Sequence, residues 1–266
     1  SVYLYSLALL YGLTTAHLGF VEGDEGKTAG LAARGNPEAT APIFATLLTD
    51  ADDEIRFRRF PTYARLHDAL AGFSAKDVAA GLQQCLERHV GRFVSHWVAR
   101  SGARRLCLAG GLFANVKLNQ VVGESGAVDD LFVFAHMGDG GLCVGAALAG
   151  EDPLPRASLF NPFLGPAARE LTAADAQRSD SRLLPLDDAT DELLAELLAR
   201  GEAIGLVDGR LEFGPRALGR RSILFSAQHP ATAQRVSAML NRPAIMPFAP
   251  VRSEERRVGK ECRSRW

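Results

Sequence analysis

Apolar residues return every three or four positions in "KDVAAGLQQCLERHVGRFVSHWVARS", residues 76–101. Val78, Leu82, Leu86, Val90, Phe93 and Trp97 then share one stripe, which predicts a buried helical face. Gly102 follows, where its tolerance of a left-handed conformation can end the helix. The period changes in "RRLCLAGGLFANVKLNQ": a short apolar strand at Leu106–Leu108, the glycine pair Gly110 and Gly111, then a helix from about Ala114. "DDLFVFAHMGDGGLCVGAALAG" repeats that order, with a strand near Leu131–Ala135, a glycine-bearing turn around Asp139 and a small-residue helix to about Ala149. Two successive strand, glycine turn and helix units predict an α/β sheet with its ligand at the strand ends.

Between Gly150 and Ala189 the pattern breaks up, and Pro153, Pro155, Pro162, Pro166 and Pro185 punctuate short polar stretches, as in a linker. A helix in "TDELLAELLARG" and a strand in "EAIGLVDG" open a second α/β unit. The final stretch, "RSEERRVGKECRSRW", has no apolar period and carries six Lys or Arg against three Glu, so it reads as a foreign tail. The expected organisation is therefore residues 1–152, a connection over 153–187, a second module over 188–251, and a non-native end at 252–266.

A chain of 266 residues, 47% hydrophobic, can form two domains. Its net charge of -1 argues against nucleic acid or an anionic membrane as partner, so any anion site must be local. No apolar run reaches the roughly 18 residues of a membrane span. Cys85, Cys107, Cys143 and Cys262 show no CxxC spacing. Cys107 and Cys143 lie in apolar stretches, where packed, reduced thiols are expected, and a cytoplasmic location follows. Ser1 opens directly into "SVYLYSLALLYGLTTAHLGF", which resembles the middle of a domain, so a fragment is expected.

Four stretches carry candidate chemistry. In "AGGLFANVKLN", Gly110 and Gly111 would let a nucleotide approach the backbone at a helix N-terminus, with Asn115 adding a side-chain contact; the alternative is a tight turn and nothing more. In "MGDGG", Asp139 either caps a helix or holds a metal ion, with His136 as a possible second ligand. In "EGDEGKTAGLAARG", Lys27 either reaches a phosphate or belongs to a solvated acidic turn. The fourth is "VDGRLEFGPRALGRRSILFS", which places Arg210, Arg216, Arg220 and Arg221 around a Gly-Pro corner. Guanidinium forks suit phosphate or carboxylate, and Ser222 could complete an oxyanion pocket; against this, such arginines also pair with residues like Glu212.

Taken in order, "SLALLYGLTTAHLGF" with "DEGKTAGLAARG", "LAGGLFANVKLN", "GDGGLCVGAALAG", "NPFLGP", "DGRLEFGPRALGRRSIL" and "MPFAP" resemble the NodU/CmcH family of O-carbamoyltransferases. The resemblance runs from about Ser6 to Pro250. It implies part of an actin-like (ASKHA-type) ATPase module followed by a partial YrdC-like α/β module. It also implies ATP, carbamoyl phosphate as co-substrate, and a divalent metal, iron by family likeness, with Mg possible for ATP. The YrdC-like module would pass carbamate to ATP, giving carbamoyl adenylate. The actin-like module would then carbamoylate a hydroxyl of a sugar or natural product. By the same resemblance Arg216, Arg221 and Ser222 are the catalytic group at carbamoyl phosphate, Gly110, Gly111, Asn115 and Lys27 hold the nucleotide, and Asp139 is the metal ligand.

The chain departs from the family pattern in three places. It lacks the Asp-bearing glycine hairpin and the H-x-x-x-H metal pair that stand upstream in the family. Before "PFAP" it keeps only Arg242 of the expected basic residues, and beyond Pro250 the tail replaces the rest of the module. A sugar-kinase-like ATPase and a non-catalytic nucleotide-binding module are the rival readings. The 266-residue polypeptide alone is expected to transfer no carbamoyl group, which an assay of the isolated chain checks.

Overall fold

The apolar stripe of residues 76–101 becomes the longest helix of a computed structural model that describes residues 6–49, 51–150, 161–178, 188–243 and 246–251. The fold is mixed α/β and divides into two compact units, residues 1–139 with 245–266, and residues 140–244.

In the first unit, helices α1 (Leu7–His17), α2 (Glu25–Ala32), α3 (Ala41–Leu47) and α4 (Tyr63–Leu70) precede α5 (Ala75–Ser101). Strand β1 (Arg105–Leu108), helix α6 (Val116–Gly123) and strand β2 (Asp130–Val133) follow. Ser74 caps α5 by accepting the Asp77 N–H at 3.2 Å, while Asp77 accepts the Ser74 hydroxyl at 2.8 Å and the Asn36 N–H at 2.7 Å. These bonds hold the Asp77 carboxyl below the usual aspartate pKa, the Asn36 amide contributing most. Gly102 ends the helix with φ 69°, donating to the Val98 carbonyl at 2.9 Å. Val78, Leu82, Leu86 and Val90 are buried as the period predicts, against Phe44, Leu10 and Leu118. Trp97, the last residue of the predicted stripe, instead stays 40% exposed, its indole N–H donating to the Asp53 carbonyl.

Strands β1 and β2 pair in parallel, Arg105 opposite Asp130 and Leu108 opposite Val133. The predicted strand to Ala135 stops at Val133, and the helix predicted from Ala114 starts at Val116 after a 3₁₀ turn, Gly111–Ala114. The cysteine expectation needs correction. Cys85 is buried, which pushes its thiol up to about 12, but Cys107 and Cys143 are exposed. Period 2 puts Cys107 on the face of β1 opposite the buried Leu108, and α7 (Leu142–Leu148) buries none of its residues.

The second unit contains α7, α8 (Ala173–Arg178), α9 (Asp188–Ala199), strands β3 (Ile204–Val207) and β4 (Arg221–Leu224), and α10 (Pro230–Met239). Strands β3 and β4 are antiparallel, with Ile204 opposite Leu224 and Val207 opposite Arg221. Gly201 turns the chain out of α9 at φ 85°, and its carbonyl accepts the buried Thr232 hydroxyl from α10 at 2.5 Å. Within the proline-rich stretch, residues 162–168 lie along 209–213: Phe213 donates to the Pro162 carbonyl at 2.7 Å and Gly165 to the Leu211 carbonyl at 2.9 Å. Among the described residues no helix is long and apolar enough to cross a membrane.

Two glycines on α5 have opposite surroundings. A Cβ at Gly81 would collide with Thr40 and the Ala41 backbone, whereas one at Gly91 meets no atom within 4 Å among the described residues. Gly91→Ala is expected to stabilise by about 0.5–1 kcal/mol through helix propensity. Gly81→Ala is expected to destabilise by about 1–3 kcal/mol through overpacking, and thermal melts of the two variants check the opposite signs. A second prediction concerns the α1/α4 seam, where His17 and His67 bring their Nδ1 atoms to 3.0 Å. Burial first, then the neighbouring His67, holds His17 below the ordinary imidazole pKa. The unfolded chain then takes up the His17 proton more readily, so stability is complete above about pH 6.5 and falls as the pH drops below it. His67→Ala should make the fall in melting temperature between pH 7 and pH 5 shallower.

Candidate functional site

The arginine corner is a loop built around one carboxylate. Glu212 begins it as a buried residue, 4% exposed. Its Oε1 accepts the backbone N–H of Leu218 and of Arg220, both at 2.6 Å. Its Oε2 lies 3.2 Å from Arg221 Nε. Gly214 at φ 130° and Gly219 at φ 99° supply the two turns that bring residues 218–221 back onto residue 212, a conformation unfavourable for any side chain. Burial alone would raise the Glu212 pKa, but the Leu218 and Arg220 amides and the Arg221 guanidinium outweigh it and leave the carboxyl below the usual glutamate value. The group is therefore ionised at neutral pH.

The four arginines have divided tasks. Arg210 donates to the Leu164 carbonyl at 2.9 Å and to that of Phe163 at 3.3 Å, which ties the corner to the 162–168 segment. Arg220 pairs with Asp208 and stacks over the Phe163 ring at 4.9 Å. Arg221 adds to its Glu212 pairing a hydrogen bond from Nη2 to the Gly214 carbonyl at 2.7 Å. Arg216 sits exposed at the tip of the loop. Ser222 Oγ accepts the Gly219 N–H at 3.2 Å. Arg221 and Ser222 are successive residues of β4 and so emerge on opposite faces of the strand, which assigns the arginine to the carboxylate side and the serine to the Gly219 turn.

In the first unit the two glycine turns meet. Gly110 donates to the Met137 carbonyl at 2.7 Å, and a Cβ built on Gly138 would stand 3.9 Å from Gly111 Cα. Gly110 adopts φ 110° and ψ 150°, a region essentially confined to glycine. A Cβ on Gly110 or Gly111 would meet no atom within 4 Å among the described residues. Packing does not demand glycine at 111, and the open backbone there fits the close approach of a nucleotide.

Asn115 stands just behind this ledge with both ends of its amide engaged. Its Oδ1 accepts the Leu118 N–H at 3.0 Å, capping α6, and its Nδ2 donates to Gln83 Oε1 at 2.7 Å. Gln83 in turn donates to Glu87 at 2.8 Å. The Tyr11 hydroxyl reaches Gln83 at 3.4 Å, and burial, then Glu25 and Glu87, raise the phenol pKa. The amide thus holds the ledge to α5 rather than projecting from it. Lys27 forms an ion pair with Asp24 at 2.6 Å, three residues earlier in the same turn, and lies 5.8 Å from the Phe20 ring centre.

Asp139 opens a 3₁₀ turn, Asp139–Gly141, at an exposed position. Among the described residues no three His, Cys, Asp or Glu side chains gather where they could hold a metal ion. These residues alone do not make a metal centre, and Asp139 would need ligands from elsewhere.

Of the signals along the chain, Glu212 was visible only as a possible partner for the arginines, and Gln83 not at all. An acidic residue opening a glycine-bordered basic loop was the available clue to the first. No local pattern marks the second, because its partner is 32 residues away.

Comparison with known proteins places this geometry. Residues 2–148 match the model of the carbamoyltransferase N-terminus and residues 195–261 that of the carbamoyltransferase C-terminus. The nodulation protein NolO of Bradyrhizobium diazoefficiens is 37% identical over 94% of the chain and 49% of its own length. The nodulation protein NolNO of Sinorhizobium fredii is 36% identical over 94% of the chain and 39% of its own length. An uncharacterised protein of Methanocaldococcus jannaschii, MJ1058, is 32% identical over 95% of the chain and 45% of its length. The chain thus spans about half or less of the curated relatives it matches. The glycine ledge falls within the first matched region and the arginine corner within the second, and with these two matches the chain belongs to the carbamoyltransferase family.

Proposed function

We propose that the protein in its full length is an ATP-dependent O-carbamoyltransferase. It uses carbamoyl phosphate, passes carbamate to ATP as carbamoyl adenylate, and carbamoylates a hydroxyl of a sugar or natural product. The observation that carries this reading is the arginine corner, where a loop ordered by Glu212 presents Arg221 and the exposed Arg216 in the part of the chain that matches the carbamoyltransferase C-terminus. Carbamoyl phosphate is a compact dianion. Guanidinium donors orient it and offset the charge that grows on the phosphate as its bond to the carbonyl carbon breaks. Ser222, held by the Gly219 N–H, shapes the turn from the other side of the strand and keeps its own O–H as a donor.

In the first unit Gly110 and Gly111 form the ledge for the adenosine part, and Asn115 fixes the ledge by its bonds to Leu118 and Gln83. Lys27 is the further phosphate contact, once released from Asp24. Water cleaves carbamoyl phosphate to carbamate and inorganic phosphate. When a carbamate oxygen attacks the α-phosphorus of ATP, carbamoyl adenylate forms and pyrophosphate leaves; when the acceptor hydroxyl attacks the carbamoyl carbon, it loses its proton and AMP leaves. A divalent metal, iron by family likeness, would be held by Asp139 with ligands outside the described residues, and would supply Lewis-acid polarisation of bound oxygens. The reading places the protein in the cytoplasm, in keeping with the unpaired thiols of Cys85, Cys107 and Cys143.

Full-length protein given ATP, carbamoyl phosphate and a panel of glycosides should release AMP and pyrophosphate, with carbamate ester appearing on the acceptor. Release of ADP instead would identify a sugar-kinase-like ATPase, and absence of turnover a nucleotide-binding module. Arg221→Ala should lower kcat/KM for carbamoyl phosphate by about 100-fold or more, the usual scale for removing a charge-stabilising donor.

A further inference from the structure

We propose that Glu212 is the positioning residue of the arginine corner: an internal anion that fixes Arg221 and the 213–220 loop in the arrangement that receives the phosphate of the carbamoyl donor. The proposal rests on the carbamoyl phosphate reading above and extends it to a residue that does not itself touch the substrate.

A carboxylate at the edge of an anion site is at first sight unfavourable, because it repels the ligand. Its placement resolves the difficulty. The side chain of Glu212 is fully covered, 0% exposed, while that of Arg221 is 41% exposed. The negative charge is therefore buried beneath the loop and the positive charge lies above it. Each carboxylate oxygen has a separate task. Oε1 draws together the amides of Leu218 and Arg220, closing a ring of backbone from residue 212 to residue 220. Oε2 faces Arg221 Nε at 3.2 Å as an ion pair without a hydrogen bond, a buried oxygen whose charge is met by the guanidinium alone.

Arg221 is then held from two directions, by Glu212 at Nε and by the Gly214 carbonyl at Nη2. A guanidinium carries five N–H bonds in one plane; the Gly214 bond engages one of them and the Glu212 ion pair draws the Nε edge toward the carboxylate, which orients the plane and leaves the Nη1 donors for a ligand. Arg–phosphate recognition depends on that plane, since paired N–H bonds must meet two oxygens at once. A lysine in the same place would carry the charge without the orientation. The ring also explains why the loop contains glycine where it does, since the closure passes through positive φ at Gly214 and Gly219. Glu212 does for this loop what a bound anion would do, gathering N–H donors around one negative centre before any substrate arrives.

The test compares wild type, Glu212→Gln and Glu212→Asp in the full-length protein. Three quantities are read: steady-state constants for carbamoyl phosphate and for ATP, hydrogen exchange at the Leu218 and Arg220 amides, and equilibrium binding of inorganic phosphate. Glu212→Gln should speed exchange at both amides at least tenfold, raise KM for carbamoyl phosphate at least tenfold, and leave KM for ATP within twofold of wild type. Glu212→Asp keeps the charge and so protects the fold, but is one methylene too short to reach both ends of the loop; it should show the same pattern at smaller amplitude. Faster exchange with an unchanged KM for carbamoyl phosphate would make Glu212 a structural residue only and overturn the proposal. So would unchanged exchange in both variants. If wild type consumes no carbamoyl phosphate, the carbamoyltransferase reading falls, and inorganic phosphate decides separately: tenfold weaker binding in Glu212→Gln sustains the positioning role, and equal binding ends it.

Discussion

The first unit depends on the burial of one face of α5. Helices α1, α2, α3 and α6 all pack against it, and its Val78–Val98 stripe shares one buried cluster with Leu10, Phe44 and Leu118 from three of them. A 27-residue helix is long enough to be helical by its own propensity, but its stability in water comes mainly from such packing. Removing a core leucine of this kind generally costs about 2–5 kcal/mol, a large part of the usual net stability of a domain. Close contact is also built into its glycines: Gly81 is the hollow in which the Thr40–Ala41 turn sits, and Thr40 closes the contact by donating to the Asp77 carbonyl at 2.7 Å.

What the sequence made legible follows from the range of the interactions involved. The α5 stripe, its Ser74 and Gly102 ends, and the two glycine turns after β1 and β2 depend on residues within one or two turns of each other, so local pattern revealed them. The cysteines show the limit of that reasoning. An apolar neighbourhood in sequence does not decide which side of a strand a residue faces, and Cys107 lies on the open side while its neighbour Leu108 lies in the core. The role of Asn115 was hidden for a different reason. Its amide is consumed by an α6 cap and by Gln83, and nothing near residue 115 announces a partner on α5.

The arginine corner illustrates how composition can mislead about chemistry. Four guanidiniums in twelve residues suggest a single strongly positive pocket, yet the structure spends two of them on architecture. Arg210 fastens the loop to the carbonyls of Phe163 and Leu164, and Arg220 is neutralised by Asp208. The glycines that looked like accessories to the arginines turn out to serve the acidic residue at the start of the loop, because the chain must fold back to reach it. Charge counted along a sequence is an upper bound on charge available to a ligand.

The link from Asn115 to Gln83 gives the glycine ledge a mechanical property. A ledge tied only to its own strand could shift by itself when loaded. Here the same amide that starts α6 is also tied to the first third of a helix about 40 Å long, and Tyr11 and Glu87 add further bonds to the knot. A load placed on the ledge is therefore borne by the stiffest rod in the unit, and the ledge moves only when the rod does.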